Sequence, residues 1–417
     1  SSGSGQYTFS TNAQTIAGTQ AYTITDLKNS ITTGNGLTFT TNNPTVTTLT
    51  QNSSILTFSG TVPTITTLTA NTGINTVQYT SGSSQTIKGT TYYYLTLSGV
   101  GTKTLGGATV TNGTLTVSAG TLALSTFDFT ANGSTSITGT LNDASATGTN
   151  IFKAVTINNG GTWSNSNNPA FTFRGNLYVY PTSTFSSGSG VYTFDTNPAE
   201  IYGGGGQAFT ITNLTNNITD SGGLTIFDTY TTVTNLTQGT NAVLIFSGIS
   251  PPVTTLTATA SGNTVKYTSG STQTIKGTTY HHLTVAGGTA TLGATTTVNG
   301  NLTVSAGTLA LSSSSFSVTG TSSITGTLTD SSSSGVNTFT GAVTLNSGST
   351  WSSSGNDGFT FRGGLTVNST STFSSGSGIY TFDTNAQTIA GTQAYTITNL
   401  TNNVTTGNGL TFTTNNP

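Results

Sequence analysis

Pro44-Thr-Val-Thr-Thr-Leu-Thr50 returns as Pro63-Thr-Ile-Thr-Thr-Leu-Thr69, nineteen residues on. The same phrase appears further along as Thr-Val-Thr-Asn-Leu-Thr at 232–237 and Pro-Val-Thr-Thr-Leu-Thr at 252–257, twenty residues apart. Apolar and polar residues alternate in it, and β-branched residues dominate, which is the pattern of a strand with one buried face. A period near twenty residues lies in the range of β-solenoid coils. Strand centres can be followed outward from it through Leu27, Leu49, Leu68, Leu95, Leu115, Ile137, Val155 and Leu177, most of them 18 to 22 residues apart. The wider step from Leu68 to Leu95 predicts an inserted loop at Ala70–Gly73.

A longer period encloses the short one. Residues 1–44 match 374–417 at every position except six: Gln6/Ile379, Ser10/Asp383, Asp26/Asn399, Lys28/Thr401, Ser30/Asn403 and Ile31/Val404. A more divergent copy of the opening starts at Ser186. The chain therefore divides into repeat unit 1 (1–185), repeat unit 2 (186–373) and the start of a third (374–417), which reads as a window of a longer polymer. Differences between units fall at expected corners, such as the Gly-rich stretch at Gly203–Gly206, where insertions cost least.

The expected fold is all-β: a parallel β-helix of coils of about 20 residues, in tandem long repeats. Stacked coils need only a narrow interior, so Val46 and Leu49 can fill it while Thr faces water. That reconciles a fold with only 32% hydrophobic residues. Helical spacing of apolar residues is nearly missing. The competing fold, a string of immunoglobulin-like sandwiches, would need a half-unit repeat and a Cys…Trp…Cys pattern, neither of which is present.

Of 417 residues, eight are Lys or Arg and ten are Asp or Glu, with a net charge of −2. No basic cluster is available to neutralise phosphates, which argues against nucleic acid and anionic membrane surfaces as partners. No run of about eighteen apolar residues is present for a transmembrane helix. Cys and Met are absent, which excludes disulfides and suits exposure outside a cell.

Two stretches carry a family resemblance: Gly-Asn-Thr-Val-Lys-Tyr-Thr-Ser-Gly-Ser-Thr-Gln-Thr-Ile-Lys-Gly-Thr-Thr-Tyr at 262–280 and Val-Asn-Gly-Asn-Leu-Thr-Val-Ser-Ala-Gly-Thr-Leu-Ala-Leu at 298–311. In rhythm and composition the chain resembles repetitive bacterial surface proteins, the autotransporter-associated β-strand repeats and the stalks of filamentous-haemagglutinin-like adhesins. The resemblance implies an extracellular or cell-surface β-solenoid used as stalk, fibre or adhesin.

Candidate chemistry is sparse. The acidic residues are Asp26, Asp128, Asp143, Asp195, Glu200, Asp220, Asp228, Asp330, Asp357 and Asp383, and only Asp143 and Asp330 match between the two full units. Both read as turn caps. Lys88 and Lys276 match, as do Arg174 and Arg362, and each is expected to pair with a carbonyl or carboxylate of a neighbouring coil. His281 and His282 stand where unit 1 has Tyr93 and Tyr94, so the position calls for an amphipathic ring and not for imidazole chemistry. The sequence therefore assigns no catalytic residue, cofactor or metal. Trp163 and Trp351 match, each followed by a pair of Phe, and read as aromatic clusters at coil corners. With Tyr92, Tyr93 and Tyr94 they are the candidate contact aromatics. Asn112, Asn213, Asn301 and Asn399 are chance-level glycosylation sequons.

The leading functional expectation is a non-enzymatic structural component of an extracellular fibre or surface stalk, partnered end to end with copies of itself. The alternative is an adhesin that binds surface glycans through its aromatic corners. Ice binding through Thr ladders such as Thr47/Thr66, and polysaccharide-directed catalysis, rank lower, for want of a regular lattice and of paired carboxylates.

Overall fold

The computed structural model describes residues 3–145, 147–227, 229–249 and 252–413; Asp228 lies outside the described residues. About nineteen turns of parallel β-solenoid, spaced about 21 residues apart, are distributed over two compact units. Unit 1 comprises Ser1–Asp195, Ala199–Leu214 and Tyr230–Thr232; unit 2 comprises Thr196–Pro198, Thr215–Thr229 and Val233–Pro417.

The opening phrase does what its alternation predicts. Pro44–Gln51 pairs in parallel with Tyr22–Asn29 on one side and Thr64–Thr69 on the other. Leu27, Leu49 and Leu68 are register partners, as are Ile24, Val46 and Ile65, and all six point inward and are buried. Thr45 and Thr64, also partners, face solvent. Each turn thus buries its apolar side chains on the identical face of the next, which a period-two strand achieves only in register.

From Gln85 to Ser186 the strands of unit 1 stack in three columns. Gln85–Ile87 stacks under Thr102–Leu105 and then Thr121–Ala123; Thr91–Tyr92 under Thr109–Thr111; Tyr94–Leu97 under Leu115–Val117. The corners are tight. In the recurring Ser-Ala-Gly, Gly120 adopts φ +66, and a Cβ there would sit 2.3 Å from the Gly99 carbonyl oxygen of the adjacent turn. Gly307 repeats this in unit 2, with φ +65. Only glycine satisfies both the left-handed backbone and the close approach.

Two expectations about the path are corrected. Leu68 and Leu95 are not one column broken by an inserted loop. Leu95 sits over Val77, on a different strand of the turn, and the chain beyond Leu68 continues regularly, with Ala70 bridging Tyr92. Leu115 partners Thr135 rather than Ile137, which stacks on Val117 two positions along the same strand.

The interior is not wholly apolar. Asn29 Nδ2 donates to Gln51 Oε1 at 2.9 Å and to the Ile55 carbonyl at 2.7 Å, while its Oδ1 accepts the Ile31 N–H. Asn216 repeats every one of these bonds in unit 2, with Gln238, Val243 and Ile218. Buried amides paid in hydrogen bonds on both ends tie one turn to the next and fix the corner.

Candidate functional site

Trp163 lies in the middle of Thr162–Asn165, not at a corner, and its ring is fully buried; Trp351 is placed identically in Thr350–Ser353. Their register partners, Leu141 and Phe185 for Trp163 and Leu328 and Phe373 for Trp351, show them to be rungs of an interior column. Trp163 Nε1 donates to Tyr192 Oη at 2.9 Å, and Trp351 Nε1 to Tyr380 Oη at 2.9 Å. Phe171 and Phe173 pack around Trp163, with ring centroids 4.9 and 5.9 Å away. As contact aromatics the two tryptophans are therefore corrected: a ring with no solvent-facing surface cannot stack on an external ligand. The alternation Thr-Trp-Ser puts the ring on the same face as Leu141, and that face is the core.

Tyr92 is likewise fully buried. Its hydroxyl meets that of Tyr79 at 3.1 Å and donates to the Lys88 carbonyl, while Tyr79 Oη accepts the Lys88 N–H at 3.0 Å. Tyr267, Tyr280 and Lys276 repeat the network in unit 2. Burial pushes the Tyr79 and Tyr267 hydroxyls up to about 12. The matched lysines thus serve through their backbones. Tyr93 and Tyr94 are half-buried and meet edge to face at 4.7 Å, and His281 and His282 reproduce this at 4.3 Å. Tyr94 packs over Gly113, and His282 over Gly300. His282 Nδ1 accepts the Asn301 N–H at 2.8 Å, and burial, with the charge of His281 second, holds its pKa below the ordinary value.

The charged residues sort by position. Arg174 pairs with Asp195 (3.3 Å) and Arg362 with Asp383 (2.8 Å), each between adjacent turns and partly exposed. Asp143 and Asp330 are buried turn caps: Oδ1 accepts from Ser145 N–H or Ser332 N–H, and Oδ2 from Asn150 or Asn337. Burial raises both carboxyls, Asp330 to about 6, and the neighbouring Asp357 adds to the rise. Asp357 is itself buried and accepts the Gly335 N–H at 2.9 Å. Lys103 is buried with its ammonium on the carbonyls of Ser81 (2.7 Å) and Gly101 (3.1 Å), and burial lowers its pKa. Among the described residues no three His, Cys, Asp or Glu side chains converge as a metal group.

One group of partly exposed aromatics lies on and beside the outer face of two paired strands of unit 1, Leu177–Val179 and Ala199–Gly203. Tyr178 and Tyr202 are register partners with rings 6.2 Å apart and perpendicular. Tyr180 and Tyr202 are each 38% exposed. Tyr178 Oη donates to Glu200 Oε2 and accepts from Asn176 Nδ2, whose Oδ1 accepts the Glu200 N–H at 3.0 Å. Burial, then the Glu200 carboxylate, pushes the Tyr178 hydroxyl up to about 12, so it keeps its proton for Glu200. Tyr180 lies against Gly204 and Tyr230, 47% exposed, against Gly206. This shelf escaped the sequence reading because it has no counterpart: the equivalents of Asn176, Tyr178, Tyr180, Glu200 and Tyr202 are Gly364, Thr366, Asn368, Thr388 and Ala390. That lack of a match was the available signal.

The fold defines the class: a repetitive parallel β-solenoid. No protein-family model, no curated protein and no solved structure matches this chain.

Proposed function

We propose that the chain is a non-catalytic structural element, a segment of an extracellular stalk or fibre built from tandem solenoid repeats and arranged end to end with copies of the same unit. The observation that carries this reading is the repetition of the interior between units. The Asn29–Gln51 corner, the Tyr79–Tyr92 pair and the Trp163–Tyr192 bond return as Asn216–Gln238, Tyr267–Tyr280 and Trp351–Tyr380. Outward positions such as Asn132 and Lys153 change freely to Thr319 and Thr340. Retaining turn-to-turn contacts while the outside drifts favours a protein whose task is the stack itself, since solenoid stability is a sum of nearest-neighbour terms. What supports an extracellular setting is the Thr/Ser/Gly/Asn-rich, nearly uncharged composition and the resemblance in rhythm to bacterial surface repeats.

Immunogold electron microscopy on intact cells of the producing organism tests this, with antibody raised against the purified chain. Gold aligned along surface filaments is the expected result. Label that appears only after permeabilisation overturns the reading.

A further inference from the structure

We infer that the outer face formed by Tyr178, Tyr180, Glu200, Tyr202 and Tyr230 is a binding platform for an extended, neutral polysaccharide chain.

Three observations carry it. The rings are surplus to the fold: in unit 2, Leu365–Val367 pairs with Ile389–Gly391 in the register of Leu177–Val179 with Ile201–Gly203, with Thr366, Asn368 and Ala390 in their place. Keeping three tyrosines partly exposed, where Thr, Asn and Ala suffice, calls for another cause. Second, the polar groups among the rings are fixed in advance. Asn176 holds both the Tyr178 hydroxyl and the Glu200 backbone, and Tyr178 holds the Glu200 carboxylate. Aromatic surface, with Tyr178 and Tyr202 fixed edge to face and bordered by hydroxyl and carboxylate oxygens, complements a sugar, which has an apolar C–H face and a rim of hydroxyls. Third, the site is flattened lengthwise. Gly204 presents no side chain, and a Cβ there would strike Tyr180 at 2.8 Å; a Cβ at Gly205 would strike Pro181 at 2.6 Å. Tyr180 and Tyr202 come from successive turns about 4.8 Å apart and are offset by two residues along the strand, so a ligand that spans both is an extended chain of more than one sugar.

A compact cation fits less well. Cation recognition needs ring faces converging on one point, whereas Tyr178 and Tyr202 stand at 90° to each other, one ring's edge directed at the other. An apolar protein partner would leave the Glu200 carboxylate desolvated against it.

The platform does not depend on the stalk reading, because a chain found inside cells would still bind the polysaccharide in solution. The test is depletion of the full chain by microcrystalline cellulose and by chitin, with soluble cello-oligosaccharide and tetramethylammonium as competitors. The expected result is binding to at least one polymer, displaced by the oligosaccharide and not by the cation. The double variant Tyr180→Asn/Tyr202→Ala installs residues that unit 2 already carries. It is expected to weaken binding about tenfold or more, with an unchanged circular-dichroism melt. Glu200→Gln, which keeps the acceptor for Tyr178, is expected to weaken binding less. Failure of the wild-type chain to bind either polymer, unchanged binding by the double variant, or displacement by tetramethylammonium overturns the proposal.

Discussion

Asp330→Asn should stabilise the chain at pH 7.5 and leave it nearly unchanged at pH 4. Asp330 is buried, its carboxyl raised from 3.8 to about 6 by burial first and by the adjacent buried Asp357 next. For an acid with a raised folded pKa, the folded state binds the proton more tightly than the unfolded state. Its stabilising effect is therefore complete below pH 3.8 and is lost as pH rises through about 6. A shift of about two units corresponds to roughly 2–3 kcal/mol of stability between those limits. Asparagine is neutral at every pH and keeps the acceptor for Ser332 N–H. The new Nδ2 replaces the oxygen that accepts from Asn337 Nδ2, so the Asn337 amide turns over and presents its Oδ1, which has no partner, to the new donor. Urea unfolding followed by tryptophan fluorescence in a Trp163→Phe background reads the relevant turns, because Trp351 is the second of two tryptophans and sits on the strand beside Asp330. The wild-type midpoint should fall from pH 4 to pH 7.5, and the Asp330→Asn midpoint should stay nearly flat. Equal pH dependence in both chains, or a wild-type midpoint that rises with pH, refutes the reasoning.

Other outcomes follow from the same interior. Trp351→Ala leaves a large cavity and removes the Nε1 donor of the Tyr380 hydroxyl, and should cost about 3–5 kcal/mol in denaturant unfolding, while Trp351→Phe should cost clearly less. Tyr79→Phe removes the acceptor of the Lys88 N–H and the partner of Tyr92, with an expected loss of about 1–3 kcal/mol; Tyr267→Phe should match it. Lys103→Ala copies Ala290, its equivalent in unit 2, and removes a buried ammonium whose pKa burial has lowered. The folded state favours the neutral amine, so wild-type stability should climb as pH rises into the alkaline range, and thermal melts of Lys103→Ala should lack that climb.

Much of this architecture is legible in the sequence because parallel stacking repeats its own pattern. Pro44–Gln51 and Thr64–Thr69 share one alternation, and Val46 and Leu49 face inward where it places them. Spacing alone does not tell which strand of a turn a residue belongs to, so Leu68 and Leu95 could be read as one column when they lie on two. Nor does it fix the phase of an isolated aromatic: Trp163 becomes a core residue only once Leu141 and Phe185 are known to flank it in register. Lys103 shows that a position is inward by geometry even when its side chain is charged, because carbonyls of the neighbouring corner receive it. The tyrosine shelf was hidden for the opposite reason. Comparing units highlights what repeats, and Tyr178, Tyr180 and Tyr202 do not.

Everything rests on parallel, in-register stacking of turns about 21 residues apart. With no native cysteine, nitroxide pairs can be placed at will. Thr45 and Thr64 are solvent-facing register partners, and Thr67 lies three residues further along the same strand. Labels at Thr45→Cys/Thr64→Cys should show strong spin–spin broadening at a separation near 5 Å, and labels at Thr45→Cys/Thr67→Cys, displaced by a further ~10 Å along the strand, much weaker coupling. Equal coupling in the two pairs, or stronger coupling in the second, would contradict the stacked solenoid.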